Sequence, residues 1–421
     1  MSAHDVTAET IAWLRTPRAI RSRCNAILEL ARAGGLDHFE FREEKLAGTA
    51  AFVVETIRTN YPRLDIPYHS RWRHFSVGGR DRWASLAKEL PQAGAREADA
   101  HERARVRFDL AVTSVLLDAG AGGAWRYAEP GGASYARSEG LAVASFHLFR
   151  GGAFSADARQ PLRADAAALA NLAEGVLAEG FQVSHANPLA GLEGRCGLLR
   201  RLGAALVRHP RLFGAGEPRI GNLFDALLAA AGGGPVAAPD ILRAVLEGFA
   251  DIWPGRLTVD GENLGDVWPH PKLAGGPGPN DETAALVPFH KLSQWLTYSL
   301  IEPLEEAGVE VVGIDELTGL AEYRNGGLLI DTGLLAPRHD AVTGAAHEAG
   351  SEIVVEWRAL TVAGLDMIAG EVRRQLGLDA KSLPLVKVLE GGTWAAGRRI
   401  AARKRPGGGP PIRLISDGTV F

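Results

Sequence analysis

Two cysteines, Cys24 and Cys196, are too few in 421 residues for a disulfide framework or a structural zinc site of thiolates. No run of about 18 apolar residues occurs, which excludes a membrane-spanning helix. Positive charge is not in excess: 46 Lys and Arg face 50 Asp and Glu, a net charge of -4, which weighs against nucleic acid as the main partner. No GxxxxGK[ST] phosphate loop, GxSxG nucleophile elbow or HExxH pair is present. The expectation is therefore a metal-free mechanism run by carboxylates, with no cofactor. No secretory signal opens the chain, so the cytoplasm is the expected compartment. Repeats and low-complexity tracts are also missing. The 46% hydrophobic and 23% charged content is that of an ordinary globular protein.

The periodicity is mainly helical. In "HDVTAETIAWLRTPRAIRSRCNAILELARAGG", Ile20, Cys24, Ile27, Leu28 and Ala31 form one stripe, with Gly34 and Gly35 as the stop. Helices are also predicted in "EEKLAGTAAFVVETIRTNYP", "EADAHERARVRFDLAVTSVLLDAGAGG", "GRCGLLRRLGAALVRHP", "GNLFDALLAAAGG" and "APDILRAVLEGFADIWP". "SEGLAVASFHLFRGG" reads as a helix capped by Ser138, with Leu141, Ala144 and Leu148 on one face. Tyr68 to Trp83, polar and aromatic without periodicity, reads as a loop, and "GENLGDVWPHPKLAGGPGPNDETA" as another. "SEIVVEWRALTVAGLDMIAGEVRRQLG" begins as a strand and becomes a helix. "RLISDGTVF" reads as a hairpin around Asp417-Gly418.

"LLDAGAGGAW" imitates the first motif of an S-adenosylmethionine-dependent methyltransferase, with Asp118, Gly120 and Gly122 in step. Ala124 breaks the pattern, and the preceding segment is a helix rather than a strand, so a helix C-terminus is the better reading.

A different stretch points to chemistry. A helix from Leu286 carries a core stripe of Phe289, Leu292, Leu296 and Leu300. Lys291, Gln294, Trp295 and Tyr298 share the neighbouring face. They read either as the wall of a nucleotide or sugar-phosphate pocket or as a lysine beside aromatics at a core edge. Downstream, "LTGLAEYRNGGLLID" sets Glu322, Tyr323, Arg324 and Asn325 among apolar neighbours, followed by Gly326 and Gly327. Charged groups are rarely buried unless paired. Either Glu322 and Arg324 form an internal ion pair fixing a turn at the two glycines, or they line a cleft.

"IPYHSRWRHF", "SVLLDAGAG", "RSEGLAVASFHLFRGGAFS", "GDVWPH", "LVPFHKLSQWLTYSLIEPL" and "LTGLAEYRNGGLLIDTGLL" together resemble the uracil catabolism protein 4 family of bacteria and fungi. The resemblance runs over nearly the whole chain. Residues 1–421 are thus expected to form one unit, divided into lobes 1–190 and 191–421 with the AEYRNGG motif in the second. Lys291, Leu317-Thr318, Ala321-Glu322-Tyr323-Arg324, Gly333-Leu334 and "GSEIVVEWRALTV" also resemble, more distantly, the queuosine salvage proteins, which hydrolyse the N-glycosidic bond of queuosine 5'-phosphate. Those proteins carry aspartate where this chain has Glu322, and a Pro-Gln type pair where it has Gly326-Gly327. Queuine is therefore not expected as the base.

That likeness implies a mainly α fold with minor β, similar to helix-hairpin-helix DNA glycosylases. It also implies hydrolysis at the anomeric carbon of a ribose 5-phosphate. The expected substrate is N-ribosylurea 5-phosphate or a near relative, giving urea and ribose 5-phosphate. Glu322 is the expected carboxylate at the anomeric carbon. Tyr323, Asn325, Glu139 and Asp118 are candidates for assisting the leaving group, and Arg324, Lys291, Arg71 and Arg73 for holding the phosphate. Trp268, near Asp266, is placed to close over the substrate. Plainer readings stand beside these: Arg71 and Arg73 as surface charge, Glu139 complementing a helix dipole, and Asp266 with Trp268 as a turn and its packing anchor. Expected partners are a nucleotide-derived small molecule, a second copy of the chain, and other enzymes of uracil catabolism, with no nucleic acid or membrane. Two other functions are a non-catalytic partner of a ring-opening enzyme and a ring-opening amidohydrolase.

Overall fold

A computed structural model describes residues 3–90, 97–273 and 282–415. The apolar stripes of the sequence become helix faces, and the protein is mainly α. The helices of ten residues or more are α1 (Ala3–Leu14), α2 (Pro17–Arg32), α3 (Leu46–Asn60), α4 (Glu97–Leu116), α5 (Arg137–Arg150), α6 (Leu192–Arg208), α7 (Asn222–Ala231), α8 (Ala238–Gly248), α9 (Lys291–Glu306), α10 (Tyr323–Thr332), α11 (Glu352–Leu376) and α12 (Trp394–Lys404). The three-residue strands are β1 (Phe39–Phe41), β2 (Val267–Pro269), β3 (Leu286–Pro288), β4 (Leu335–Pro337), β5 (Ala346–Glu348) and β6 (Arg413–Ile415). They pair only two by two: β1 with β4 and β2 with β3 antiparallel, β5 with β6 parallel. No described helix is long and apolar enough to cross a membrane.

The chain forms two compact units, each discontinuous in sequence. One comprises Met1–His69, Arg256–Gln294 and Gly313–Ser416; the other, Ser70–Gly255 and Trp295–Val312. The division does not fall at residue 190. Contacts distant in sequence, such as the β1–β4 pair, carry the N-terminal segment into the same unit as the C-terminal third.

Unit one is organised on α11, whose buried residues run from Val354 to Val372 and which packs against α2, α3 and α10. α2 starts where Thr16 accepts a hydrogen bond from the Ala19 N–H at 3.1 Å and Pro17 presets the first helical turn. Its predicted stripe of Ile20, Cys24, Ile27, Leu28 and Ala31 is buried. Ile11 and Leu14 of α1 join Leu264, Val267 and Leu286 in an apolar cluster under the β2–β3 pair. Glycines let α10 approach its neighbours closely. A Cβ on Gly326 would lie 2.6 Å from Trp357 Nε1, and one on Gly397 of α12 would collide with the Arg324 carbonyl. Because that obstacle is backbone, Gly397→Ala is expected to destabilise by about 1–3 kcal/mol, read from equilibrium denaturation.

Unit two packs α4 against α5 and α7, with α6 lying on the short helix Ala166–Ala170. On α4, Asp109 is buried against Arg219 at 2.6 Å and accepts the Gly221 N–H at 2.7 Å. Desolvation outweighs both and pushes its carboxyl up to about 6.

Several expectations are corrected. Ile353-Val354-Val355 is helix, not strand: α11 runs unbroken from Glu352, because a short apolar run buried on most sides has no diagnostic period. Leu286 to Pro288 is strand β3, and the following helix begins only at Lys291, where the Asp266 carboxylate accepts its backbone N–H. Residues between Tyr68 and Trp83 are not simply a loop. Arg71–Phe75 and Arg82–Ala87 are short helices anchored by buried Trp72, Phe75, Trp83 and Leu86. Ser138 does not cap α5; Ala136 holds the cap position. Arg413–Ile415 pairs in parallel with β5, while the turn expected at Asp417-Gly418 lies outside the described residues.

Candidate functional site

Glu322 answers what an acid does among leucines. Its extended backbone stops the segment arriving from Leu317, and its carboxylate caps α10. One oxygen accepts the Arg324 N–H and the other the Asn325 N–H, each at 2.7 Å. Glutamate is not among the favoured cap residues, whose shorter side chains reach the same N–H groups more easily. Here both oxygens are engaged and each keeps a lone pair. The residue is 7% exposed. Burial raises its pKa above the usual glutamate value, opposed in turn by the Lys291 ammonium, the two N–H donors and His69.

The neighbours take separate roles. The anticipated Glu322–Arg324 ion pair does not account for the motif. The Arg324 guanidinium donates to the Gly408 carbonyl at 2.8 Å and lies over the Tyr323 ring, 5.0 Å from its centroid. Asn325 is fully buried. Its Nδ2 donates to the Leu320 carbonyl at 3.2 Å, leaving Oδ1 as a buried acceptor with no hydrogen-bond partner. Gly326 and Gly327 lie inside α10, not in a turn.

Asp266 makes a second centre in the same unit. Its two oxygens each take an Arg358 N–H at 2.7 Å, Oδ1 also accepts from Trp268 Nε1 at 2.7 Å, and Oδ2 accepts the Lys291 backbone N–H at 3.0 Å. Burial works to raise this acid, but Arg358, aided by the Trp268 and Lys291 donors, holds it well below the usual carboxylate range. Arg358 also stacks on Phe289 and donates to the Ala321 carbonyl at 3.3 Å, one residue before Glu322. Asp266 therefore positions Arg358 and the start of α9. Trp268 is held by Asp266 and packed on Gly350, the anchor of the plainer reading.

His69 Nδ1 lies 2.7 Å from Glu390, and its ring is 5.8 Å from that of Trp394. Trp394, with Thr56, Arg398 and Arg399, lines a recess of about 380 Å³ on α3 and α12.

Arg71, Arg73, Asp118 and Glu139 belong to unit two. Arg71 is wholly buried, not surface charge. It donates to Ser114 Oγ and to Asp118, both at 2.7 Å. Desolvation lowers its pKa, against the pull of Asp118 and Glu139. Arg73 pairs with Glu302 at 2.5 Å. Glu139 stands in the first turn of α5, half-buried, where a carboxylate complements the helix dipole. Trp295 and Tyr298, expected on a pocket wall beside Lys291, are buried in unit two.

Sequence reasoning missed Arg358, though it stands in the quoted "GSEIVVEWRALTV". It also missed His69, within "IPYHSRWRHF". A group of metal-ligand type escaped it as well: His38, Glu352 and Glu356 bring donor atoms within 4.8 Å of one another. Glu352 and Glu356 stand one helical turn apart in "GSEIVVEWRALTV", a spacing the sequence reading passed over, while His38 lies more than 300 residues away.

Residues 13–421 match the model of a family described as "Protein of unknown function (DUF1688)". The chain is 39% identical to uracil catabolism protein 4 of Lachancea kluyveri, over 98% of its own length and 99% of the relative. It is 38% identical to protein urg3 of Schizosaccharomyces pombe, over 99% of its own length and 100% of the relative. With near-complete coverage of every chain compared, the protein belongs to the DUF1688 family.

Proposed function

We propose that the protein acts in uracil catabolism as a hydrolase of the N-glycosidic bond of a ribosyl 5-phosphate compound. N-ribosylurea 5-phosphate, or a close relative, would give urea and ribose 5-phosphate. The observation that carries this reading is Glu322: a buried carboxylate at a helix N-terminus, with the Lys291 charge close enough to act on it. The name of the Lachancea kluyveri relative supplies the pathway.

In this reading, C–N cleavage builds positive charge on the sugar, and the Glu322 carboxylate stabilises it. The oxygen of water bonds to the anomeric carbon and passes a proton to Glu322, while the C–N electron pair leaves with the nitrogen. That nitrogen must gain a proton, for which the Tyr323 phenol is the candidate donor. The unpartnered Asn325 Oδ1 suits an N–H of the urea group. Lys291 offers the phosphate a cation. Arg71 and Asp118 hold each other and enter no step.

The test is to incubate purified protein with synthetic N-ribosylurea 5-phosphate and assay urea and reducing sugar together. Equimolar appearance of both supports the reading. Survival of the intact compound removes it as substrate and turns attention to other ring-opened ribosides, then to a non-catalytic role. A pH profile gives a second check. Because burial raises the Glu322 pKa, the acid limb of kcat/KM is expected above the ordinary glutamate value of about 4.3.

A further inference from the structure

Glu352 and Glu356 are one helical turn apart on α11, so their carboxylates share a face. His38, just before β1, places Nε2 3.8 Å from Glu352 Oε2. His270, just after β2, places Nε2 3.5 Å from Glu356 Oε1 and 3.9 Å from Glu352 Oε1. His270 and Glu356 are both 0% exposed. Both ring nitrogens of His270, both carboxylate oxygens of Glu356 and one of Glu352 are buried with no hydrogen-bond partner. Buried polar atoms in folded proteins are nearly always satisfied, and five such atoms in one cluster are an exception that calls for a ligand.

We propose that His38, His270, Glu352 and Glu356 hold one divalent first-row metal ion, with zinc as the reference case. Ligand atoms bound tetrahedrally at 2.0–2.1 Å from zinc lie roughly 3.3–3.5 Å from one another. The three pairs above stand at 3.5, 3.8 and 3.9 Å, so the side chains must draw in by a few tenths of an ångström or more to close on an ion. Two imidazoles with two carboxylates suit zinc, manganese or iron, whereas calcium and magnesium take oxygen ligands. His38 has the outer support expected of a ligand: its Nδ1 is hydrogen-bonded to His339 Nε2 at 2.9 Å, leaving Nε2 for the metal. The backbone N–H of His270 donates to the Ala285 carbonyl at 2.9 Å, which fixes its position at the end of β2. Lys272, the nearby cation, is paired with Asp37 at 2.7 Å. His38 and Glu352 are partly exposed, giving an ion its way in. A bound ion would tie β1, the segment after β2, and α11 to one point. The inference does not depend on the proposed reaction.

The test uses the full chain, stripped with chelator, incubated separately with Zn²⁺, Mn²⁺ and, without oxygen, Fe²⁺, then freed of loose ion by gel filtration. Elemental analysis should find about one ion per chain for at least one metal, with a raised melting temperature. His270→Ala and Glu356→Gln should bind less than about a tenth of that. If these buried variants fail to fold, His38→Ala at the partly exposed edge should also lose the ion. His339→Ala, which removes the outer hydrogen bond and the ring packed edge-on to His38 but no ligand atom, should weaken affinity by about 10- to 100-fold. Failure of the wild type to retain any of the three metals overturns the proposal. So does full retention by folded His270→Ala or His38→Ala.

Discussion

Glu322→Gln is expected to slow release of urea and ribose 5-phosphate by about 100- to 10,000-fold, the usual worth of a positioned acid–base group. The variant is informative because Glu322 also caps α10. Glutamine keeps one acceptor oxygen, so one of the two backbone N–H groups now at 2.7 Å retains its partner while the other loses it. The cost in stability should be about 1–2 kcal/mol. A purely structural Glu322 predicts that loss and an activity that follows the folded fraction. A catalytic Glu322 predicts a folded variant, shown by circular dichroism and thermal melting, that is nearly inactive. Glu322→Asp separates the two further: it keeps the charge but draws it back by about one methylene, so capping should persist while the rate falls.

Asp266→Ala should destabilise the protein by about 3–5 kcal/mol, the largest loss expected from a single change described here. Its partner Arg358 is 2% exposed and would remain buried without the carboxylate that takes two of its N–H groups. Trp268 Nε1 and the Lys291 N–H would lose their acceptor as well. Equilibrium denaturation measures the effect; a loss under about 1 kcal/mol would show that solvent replaces the carboxylate. The pH dependence follows from the pKa of Asp266, which is depressed in the fold. Its contribution is complete above the unfolded value of about 3.9 and is lost as pH falls toward the folded value. The stability gap between wild type and Asp266→Asn should thus be constant from neutral pH to about 4 and close below it.

Much of the helical framework was legible because its signals are local. The stripe on α2, its break at Thr16-Pro17 and its stop at Gly34 need no information from elsewhere. Residues 353–355 misled because β-branched side chains in a helix buried on most sides look like strand. At the candidate site, Glu322 stood out as a charge among leucines, and it is buried. That it caps its own helix was not legible, since glutamate is an uncommon cap and the geometry depends on Gly326 letting α10 press against Trp357. The Asp266–Arg358 pair and the His38, His270, Glu352 and Glu356 cluster lay beyond reach for a different reason. Each joins segments far apart in sequence, and although Glu356 and Arg358 stand as charges in the apolar run "IVVEWRALTV", nothing local says which distant groups they meet.

The discontinuity of unit one also bears on how the chain is made. α2 emerges early with Ile20, Cys24, Ile27 and Leu28 on one face, yet α11, the helix against which it packs, begins only at Glu352. At about 5–20 residues per second, the intervening stretch of about 320 residues occupies the ribosome for roughly 16–60 s. Throughout that interval the apolar face of α2 lacks its main native partner, although α1 and β1 are already made and β3 follows at Leu286. A chaperone that shields nascent helices would meet this protein at its N-terminus, and truncation anywhere before α11 would leave that client permanently unfinished.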